Sequence, residues 1–476
     1  MKTPILGQSY TAISRNAACS RMVNLFIEFV PDGGKEPGFL QRAPGMRLLA
    51  TIGTGPIRGT WQYGNYGYVV SGQYLYRVDS TWNYLQIGQV AGSGPVSMAD
   101  NGTQLFIACN PEGFIYNVAT NVFQQITDPD FPGAVTVGYL DGYFVFTQPD
   151  TQLVWVTSLL DGTAIDPLEF ASATGAPDNL VAVVVDHKEA WLLGVKSAEV
   201  WYDSADIDFP LSPVQGAFIE IGCMAPYSAV KLDNSIFWLG SDKQGDGIVF
   251  RSVGYQAKRI STPAVEWQLQ QYDNLSEAIA YSYQKNGHIF YVLIIPGQST
   301  SWVYDVTTEA WHERAGFQDG AFTRHRSNCA MNFNREIVVG DFENGNIYAL
   351  DHDVCTDNGS TQKWLRSWRA LAPGKNTLQR ATHHSLQLDC ETGVGVVSGQ
   401  GNDPKVFLRW SDDAGWNWSS EHWRSMGKIG EKFTRVIWRR LGSTDKLRDR
   451  VYEISGTDPV KVIISGAELI SGSTNA

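Results

Sequence analysis

The sequence predicts an all-β protein, in which a β-propeller of about seven blades is followed by a second, sandwich-like β domain. Three observations lead to this prediction. The 476 residues include 16 Trp, 20 Tyr, 21 Phe and 47 Gly, and flat rings pack well on sheets while glycine serves tight turns. A short apolar strand recurs at intervals of 39 to 54 residues, and the pattern changes after residue 353. No long amphipathic helix is expected.

The repeat that predicts the propeller lies within residues 46–353. Each instance has a short apolar strand, a turn, and an aliphatic residue followed by an aromatic one. The seven pairs are Leu75-Tyr76, Ile115-Tyr116, Val154-Trp155, Val200-Trp201, Val249-Phe250, Val303-Tyr304 and Ile347-Tyr348. The apolar strand is expected to be the inner strand of a blade, and blades stack in a ring because one blade alone cannot bury both faces. Seven instances predict seven blades, with six or eight left open and a series of β-meanders in a sandwich as the alternative.

Two similar segments predict how the ring closes. Residues 53–57 read GTGPI and residues 92–96 read GSGPV. The second segment joins the end of one predicted blade to the start of the next, so the first is expected to do the same. The strand before it, RLLATI at 47–52, is therefore predicted to be the outer strand of the last blade.

The pattern changes after the seventh repeat. Residues 354–362, VCTDNGSTQ, are polar and contain Gly and Ser, which predicts a linker. Residues 363–476 then form the second β domain. Its predicted strands lie near residues 384–390, 405–411, 433–441, 451–456 and 461–469.

The charge of the chain is negative and unevenly distributed. The formal net charge is −12; residues 1–360 carry 20 Lys and Arg against 37 Asp and Glu, whereas residues 361–476 carry 17 against 12. The acidic charge of residues 1–360 argues against tight binding to DNA phosphates. The six scattered cysteines include no CxxC pair, the N-terminus has no apolar signal core, and the longest apolar run, 289–296, is too short to span a bilayer. We expect a soluble chain made in a cytoplasm.

One short motif raises the question of sugar chemistry. Within RWSDDAGWNW, residues 409–418, the residues Ser411, Asp413, Gly415 and Trp418 have the spacing of the Asp-box of sialidase-type propellers. Such enzymes carry several boxes and an arginine cluster, whereas here one box lies outside the repeat. The box is therefore predicted to be a structural turn, in which Ser and Asp accept backbone N–H groups, Gly supplies an unusual conformation and Trp packs below.

No catalytic, cofactor or metal site is predicted. The carboxylate pairs Asp206/Asp208, Asp242/Asp246 and Asp351/Asp353 lie in turn-like segments and are interpreted as solvated. His383 and His384 would point to opposite faces of a strand, so they should not chelate one ion. The densest basic run could be a solvated face or could meet an acidic protein or nucleic acid. It contains Arg435, Arg439, Arg440, Lys446, Arg448 and Arg450.

Several stretches together resemble a family of phage proteins. The resemblance covers nearly the whole chain, and the order of the stretches carries it rather than any single motif. They are RMVNLFIEFVPDG (21–33), the Pro44-Gly45 turn, VAGSGPVSMA (90–99), RISTPAVE (259–266), RWSDDAGWNW, VIWRRLG (436–442) and DPVKVIISGAEL (458–469). The family is that of the tail accessory, or packaged-DNA-stabilisation, proteins of short-tailed phages, also described as tail nozzle or hub proteins.

The resemblance implies a structural role in the virion tail. Family members assemble as a sixfold ring below the portal and its adaptor ring, close the head after DNA packaging, and carry the needle or tailspikes. DNA would pass through the lumen without specific binding, and an acidic wall would repel it. The N-terminal segment, residues 1–45, would by its position join the C-terminal domain.

Two other functions remain open at this point. One is a glycan- or receptor-binding tail component, in which Trp61, Trp82 or Trp311 would stack on sugars; each of the three also fits a propeller core. The other is a carbohydrate-active hydrolase, which would need two carboxylates held across a cleft.

Overall fold

The computed structural model describes residues 1–32, 34–173, 175–206, 208–242, 245–372, 380–444 and 449–473. In these ranges the chain is built from short β-strands, one α-helix (Pro263–Leu269) and two 3₁₀ turns (Pro226–Ser228 and Leu275–Glu277), which confirms the predicted all-β class. No helix among the described residues is long and apolar enough to cross a membrane. The N-terminal strands are β1 (Tyr10–Thr11), β2 (Cys19–Ser20), β3 (Met22–Val23), β4 (Leu25–Phe29), β5 (Gly38–Arg42) and β6 (Gly45–Thr51).

Antiparallel four-stranded units follow one another along the chain. Unit one has β7 (Ile57–Tyr63), β8 (Tyr66–Ser71), β9 (Tyr74–Val78) and β10 (Tyr84–Gln89). Unit two has β11 (Ser97–Asp100), β12 (Gln104–Cys109), β13 (Glu112–Asn117) and β14 (Val122–Gln125). Unit three has β15 (Val137–Leu140), β16 (Tyr143–Thr147), β17 (Leu153–Val156) and β18 (Phe170–Ser172). Unit four has β19 (Leu180–Asp186), β20 (Glu189–Gly194), β21 (Ala198–Asp203) and β22 (Leu211–Ile219).

Three more units complete the series. In unit five, β23 (Gly222–Cys223) and β24 (Val230–Leu232) both pair with β25 (Ser235–Asp242), before β26 (Gly245–Val253) and β27 (Gln256–Arg259). Unit six has β28 (Ile279–Lys285), β29 (His288–Ile294), β30 (Ser301–Asp305) and β31 (Ala310–Arg314). A hairpin, β32 (Gly316–Gln318) and β33 (Ala321–Thr323), leads to unit seven, which has β34 (Ser327–Phe333), β35 (Glu336–Asp341) and β36 (Asn346–Asp351).

The first strands of the units contact one another in succession around a ring. The contacts run β7, β11, β15, β19, β24, β28 and β34, and β34 contacts β7 again. A cavity of about 250 Å³ lies among these strands, lined by Thr60, Thr136, Val183 and Tyr281 among others. The apolar strands singled out in the sequence are the second strands, not the innermost ones. That assignment was wrong because an apolar run shows that a strand is buried between neighbouring units, as the second strand is. It does not show how close the strand lies to the axis of the ring.

The N-terminal strand β6 closes the ring. It pairs antiparallel with β36, with Met46 opposite Leu350 and Ala50 opposite Ile347, which confirms the predicted position of RLLATI. Met46, Tyr348 and Leu350 are buried in one apolar cluster with side chains of unit six. The fourth strand of unit seven therefore comes from the start of the chain.

The C-terminal part is a β-sandwich. The short strands β37 (Thr356–Asp357) and β38 (Ser360–Thr361) extend the sheet of unit seven beyond β6. The sandwich strands that follow are β39 (Trp364–Arg369), β40 (Ala381–Cys390), β41 (Lys405–Ser411), β42 (His422–Ser425), β43 (Val436–Arg439), β44 (Val451–Gly456) and β45 (Ile463–Ser473). One sheet has the order β4-β5-β45-β40-β43, and the other contains β3-β39-β44-β41-β42. Trp368, Trp438 and Tyr452 lie in the buried core between them.

Propeller and sandwich share one continuous sheet. Strand β3 pairs in parallel with β31 of unit six through Val23 and Glu313, and antiparallel with β39 through Val23 and Leu365. Unit six and the second sandwich sheet thus form nine consecutive strands among the described residues. Hydrogen bonds of the N-terminal segment therefore fix the two domains to each other.

Candidate functional site: the Asp-box turn and the domain junction

The Asp-box forms a compact hydrogen-bonded turn after β41. Ser411 Oγ donates to Asp413 Oδ1 (2.6 Å) and accepts the Gly415 N–H (2.8 Å). Asp413 Oδ1 also accepts the Trp416 and Asn417 N–H groups at 3.1 and 2.8 Å. Partial burial opposes ionisation of Asp413, but these bonds outweigh it and lower its pKa to about 2. The carboxylate is a fixed acceptor, not a proton donor at neutral pH.

The surroundings of the box tie the N-terminal segment to the sandwich. Gly415 has φ +86°, and a Cβ there would lie 2.9 Å from Cys19 Sγ and 3.5 Å from Trp418, so a side chain would be both strained and obstructed. The Arg409 guanidinium lies 4.7 Å from the Trp418 ring centroid. Trp416 is 70% exposed, and Arg15 lies over its ring at 4.4 Å.

The second carboxylate of the box is also engaged. Asp412 accepts two hydrogen bonds from Arg450, from Nε to Oδ1 and from Nη2 to Oδ2, both at 2.7 Å. Retaining and inverting glycosidases need one carboxyl group with a raised pKa opposite a second. Asp412 and Asp413 do not supply that pair, because one is held by a guanidinium and the other has a lowered pKa.

Of the other carboxylate pairs singled out in the sequence, Asp206/Asp208 and Asp351/Asp353 lie in a loop or at a strand end, whereas Asp242 and Asp246 lie on strands β25 and β26, which differs from the predicted turn. Asp206 Oδ1 accepts the Asp208 N–H at 3.1 Å, and Asp351 accepts the Asp353 N–H at 2.9 Å and pairs with Arg47. Asp246 is exposed, and the side chain of Asp242 lies outside the described residues. The described part of the chain contains no group of three His, Cys, Asp or Glu that could hold a metal ion.

The histidine doublet lies on strand β40 with its two side chains on opposite faces. His383 is buried and its Nδ1 is 2.7 Å from the Tyr452 hydroxyl, whereas His384 is exposed. Burial, with a contribution from Arg450, lowers the pKa of His383 to about 4. The residue is a neutral core histidine at physiological pH.

The basic run does not form one surface. Arg450 is buried against Asp412, while Arg435, Arg439 and Arg440 are exposed. Lys446 and Arg448 lie outside the described residues. The run therefore contributes one structural arginine and a separate group of solvent-facing cations.

The three tryptophans considered for sugar stacking contribute to packing. Trp311 is fully buried and donates to the Ile260 carbonyl at 2.9 Å. Trp61 is partly buried and donates to Asp100 Oδ2 at 2.8 Å. Trp82 packs edge-on against Phe333 in an apolar cluster between units one and seven.

Sequence reasoning missed the polar core of the junction between propeller and sandwich. Asn24 is fully buried, and its Nδ2 donates to the carbonyls of Ala315 and Lys363, both at 2.8 Å. Its Oδ1 accepts the Ala315 N–H at 3.1 Å. One side chain thus joins the N-terminal segment, the end of unit six and the start of the sandwich. Its only sequence signal is an amide inside the apolar run MVNLF.

An ion pair whose carboxylate is buried and whose guanidinium is partly exposed lies beside this amide. Glu313 of β31 accepts Arg21 Nη2 at 2.6 Å and Nε at 3.2 Å, and the Ser9 hydroxyl at 2.8 Å. The Glu313 carboxylate raises the pKa of Arg21, which keeps the pair ionised. Three parts of the chain, two from the N-terminal segment and one from unit six, meet at this carboxylate.

Two buried arginines donate almost entirely to main-chain carbonyls. Arg42 bonds the carbonyls of Asp458, Val460, Cys355 and Gln362 at 2.6–2.9 Å, together with the Gln362 side chain. Arg366 donates to the Ile5 carbonyl at 2.7 Å, and burial lowers its pKa to about 9. Both arginines bridge the N-terminal segment and the C-terminal part. Apolar residues in their place would leave these buried carbonyls without hydrogen-bond donors.

Comparison with known proteins bears directly on these two domains. The model of the family described as bacteriophage P22 Gp10, β-propeller, matches residues 1–355. The model described as bacteriophage P22 Gp10, β-sandwich, matches residues 364–470. A search of curated protein sequences gives no significant match.

Solved structures that resemble the chain include several propellers of low sequence identity. The designed protein Ika8 covers 64% of this chain and 99% of its own, at 13% identity and a TM-score of 0.39. The N-terminal domain of Nup159 covers 70% and 98%, at 9% identity and a TM-score of 0.41. The Cps50 (Swd1) β-propeller domain of Myceliophteria thermophila covers 64% and 98%, at 9% identity and a TM-score of 0.39. At these scores the likenesses carry no weight for function.

Both domains match one family in order, and together the matches cover most of the chain. The resemblance found in the sequence is thereby confirmed, together with its combination of a propeller and a sandwich. The chain belongs to the bacteriophage P22 Gp10 family of tail nozzle and DNA-stabilisation proteins, and it is a structural protein of a phage tail.

Proposed function

We propose that identical copies of the chain, expected to number six, form a closed ring below the portal and its adaptor ring. In this position the ring closes the head after DNA packaging, provides the exit channel for DNA, and offers a platform for the needle or tailspikes. The observation that carries the proposal is the match of both domains, in order, to the P22 Gp10 family. Assembly would take place in the host cytoplasm.

The junction suits a protein that must bear load. A ring that retains packaged DNA has to keep its domains in a fixed relation. The nine-stranded sheet crosses from unit six into the sandwich, and Asn24 and Arg42 satisfy buried main-chain groups on both sides. Separating the domains would break these bonds and leave polar groups buried without partners, which is costly.

The charge of the propeller suits a channel for DNA. Residues 1–360 carry 37 Asp and Glu against 20 Lys and Arg. A wall of that sign repels phosphates, so a duplex would pass without specific binding. Basic residues around the bore of an assembled ring would contradict this part of the proposal.

We propose that the Asp-box is a structural turn and that the chain has no catalytic role. The bonds of Ser411 and Asp413 stay within the turn, and Asp412 is held by Arg450. Hydrolysis of a sialoside or capsule sugar by the purified protein, lost on Asp413→Ala, would overturn this part.

The experiment for the main proposal is a gene deletion with complementation. We expect deletion particles to package DNA and then lose it, with no tube below the adaptor, and wild-type protein supplied in trans to restore both. Nuclease-protected DNA per head and electron microscopy of the vertex are the readouts. Heads that stay full, with a normal tube and lost adsorption, would contradict the proposal.

A second candidate function is glycan or receptor binding. Trp416 and Trp423 are exposed on the sandwich, although Arg15 and Lys405 each cover one ring face at 4.4 Å. A glycan array probed with wild type and with Trp416→Ala would test it. Binding that disappears in the variant would favour this function.

A further inference from the structure

A long segment of the propeller is rich in acidic residues. Residues 78–187, from the end of unit one into unit four, contain twelve Asp and Glu but no Lys or Arg. Two lysines from outside this range, Lys188 and Lys231, form ion pairs with Asp141 and Asp186. Such a surface attracts a basic partner and repels an acidic one.

Exposed leucines lie within this acidic region. Leu159, Leu160 and Leu168 project from residues 157–169, between β17 and β18 of unit three, and are 59%, 59% and 76% exposed. The segment is held in place, since the Leu160 N–H donates to the Gly142 carbonyl and the Gly162 N–H to Gln104 of unit two. Apolar side chains fixed at the surface mark an interaction site.

Acidic side chains lie along the C-terminal half of this segment. Asp166 Oδ1 accepts the Leu168 N–H at 2.9 Å. Asp128 accepts the Ile165 N–H at 3.3 Å and the N–H of exposed Asp130 at 3.0 Å. We call the three leucines, with Asp130 and Asp166, the acidic leucine patch.

A surface of opposite charge lies on the sandwich. Val397, Ile429 and Phe433 are exposed, Phe433 by 99% and Val397 by 86%. Their two loops contact each other, since the Gly393 N–H donates to the Met426 carbonyl and Thr392 Oγ1 to the Lys432 carbonyl. Residues 424–440 carry six Lys and Arg, all exposed, against one Glu.

We call the three apolar residues, with Lys428, Lys432 and Arg435, the basic knob. An apolar centre with a charged rim is the usual composition of a protein interface. The knob and the acidic leucine patch each have this composition, with opposite rim charges.

The topology places the knob and the patch far apart in one chain. The sandwich joins the propeller at units six and seven, whereas the patch lies on unit three, about halfway around the ring of units. Residues 157–169 follow β17, and the linker (residues 354–362) follows β36. Each of these is the third strand of its unit, so both segments begin on the same face of the propeller. Each copy therefore presents two surfaces of opposite charge on separate parts of the chain, the sandwich and unit three.

We propose that the basic knob of one copy docks on the acidic leucine patch of the next copy. The occupant of each surface is a second copy of this chain, because the rim charges and the apolar centres are complementary. Two different surfaces on each copy make a head-to-tail contact, which closes into a ring when the rotation allows. This inference rests on the proposed ring and names its interface.

Cross-linking in phage particles tests the contact. The deletion phage is complemented with the double variant Leu168→Cys, Phe433→Cys, and purified particles are treated with a short bismaleimide. Since each copy carries one cysteine on each surface, the expected product is a ladder of covalent multimers beyond the dimer. The matched control is Leu85→Cys, Phe433→Cys, because Leu85 is also surface-exposed, at 55%, but lies on unit one, and it should give no ladder.

A charge exchange provides the second measurement. Asp130→Lys and Lys432→Glu are each expected to lower the yield of infectious particles by about 10-fold, and the double variant to recover most of it. Particles that contain the tube and the chain but give no ladder and no recovery would overturn this interface while leaving the ring intact. Wild-type particles with no ring of this chain would overturn the proposed function itself.

Discussion

Replacing Asn24 tests whether the junction depends on one buried amide. The side chain makes three hydrogen bonds, two as donor and one as acceptor, and the residue has φ +53°. Asn24→Gly removes the bonds but tolerates the backbone conformation. Asn24→Ala removes the bonds and adds strain, and Asn24→Asp keeps the size but places a carboxylate oxygen against two carbonyls.

The three substitutions should therefore differ in a fixed order. Three hydrogen bonds at about 1 kcal/mol each give a loss of about 3 kcal/mol for Asn24→Gly. A left-handed conformation adds about 1 kcal/mol for Asn24→Ala. Asn24→Asp should cost the most, roughly 5 kcal/mol, because a buried charge would face acceptors alone.

Guanidinium denaturation followed by tryptophan fluorescence, together with limited proteolysis of the N-terminal segment, measures these losses. Asn286→Ala is the matched control, since Asn286 has the same φ of +53° in an exposed turn and should lose only the strain term. Stability of Asn24→Asp equal to that of Asn24→Gly would refute the assigned donor geometry.

Three further predictions concern charged groups. Asp413→Ala should lower the stability of the sandwich by about 1–2 kcal/mol at pH 7. The pKa of Asp413 in the folded protein, about 2, lies below the ordinary 3.8, so the wild-type carboxylate stabilises the fold only while it is ionised. Thermal scans should therefore show the difference between wild type and variant above pH 4, and the difference should vanish as the pH falls towards 2. Burial raises the pKa of Asp357 to about 6, so the wild type should lose stability as pH rises from 4 to 6, and denaturation midpoints of Asp357→Asn should not show this loss. Glu313→Gln leaves Arg21 without its carboxylate and should cost about 2 kcal/mol, less than for a fully buried pair because the Arg21 side chain is 38% exposed; the loss is measured by proteolysis beside the exposed control Glu309→Gln, which should change little.

The sequence predicted those parts of the fold that repeat or that act locally. The aliphatic–aromatic pairs lie on the third strand of each unit, and RLLATI closes the ring. These features were predictable because the burial of a strand is reflected in the pattern of adjacent residues along the sequence. The turn geometry of Ser411 and Asp413 was likewise visible, since all its bonds span four residues or fewer.

The junction could not be predicted in the same way. Asn24 bonds residues 291 and 339 positions away, and Arg42 bonds residues up to 418 positions away. A polar residue in an apolar strand signals burial with a partner but does not identify it. For the same reason the sequence does not show that Arg450, within the basic run, turns inward to Asp412, 38 positions earlier.

The most direct test of the proposed ring is an electron-microscopy reconstruction of the vertex in wild-type particles, without imposed symmetry, beside deletion particles. We predict a closed ring of this chain directly below the adaptor, around the DNA path, which is absent from the deletion particles. Density for the chain only on peripheral fibres, or an unchanged tube in the deletion particles, would contradict the proposed function.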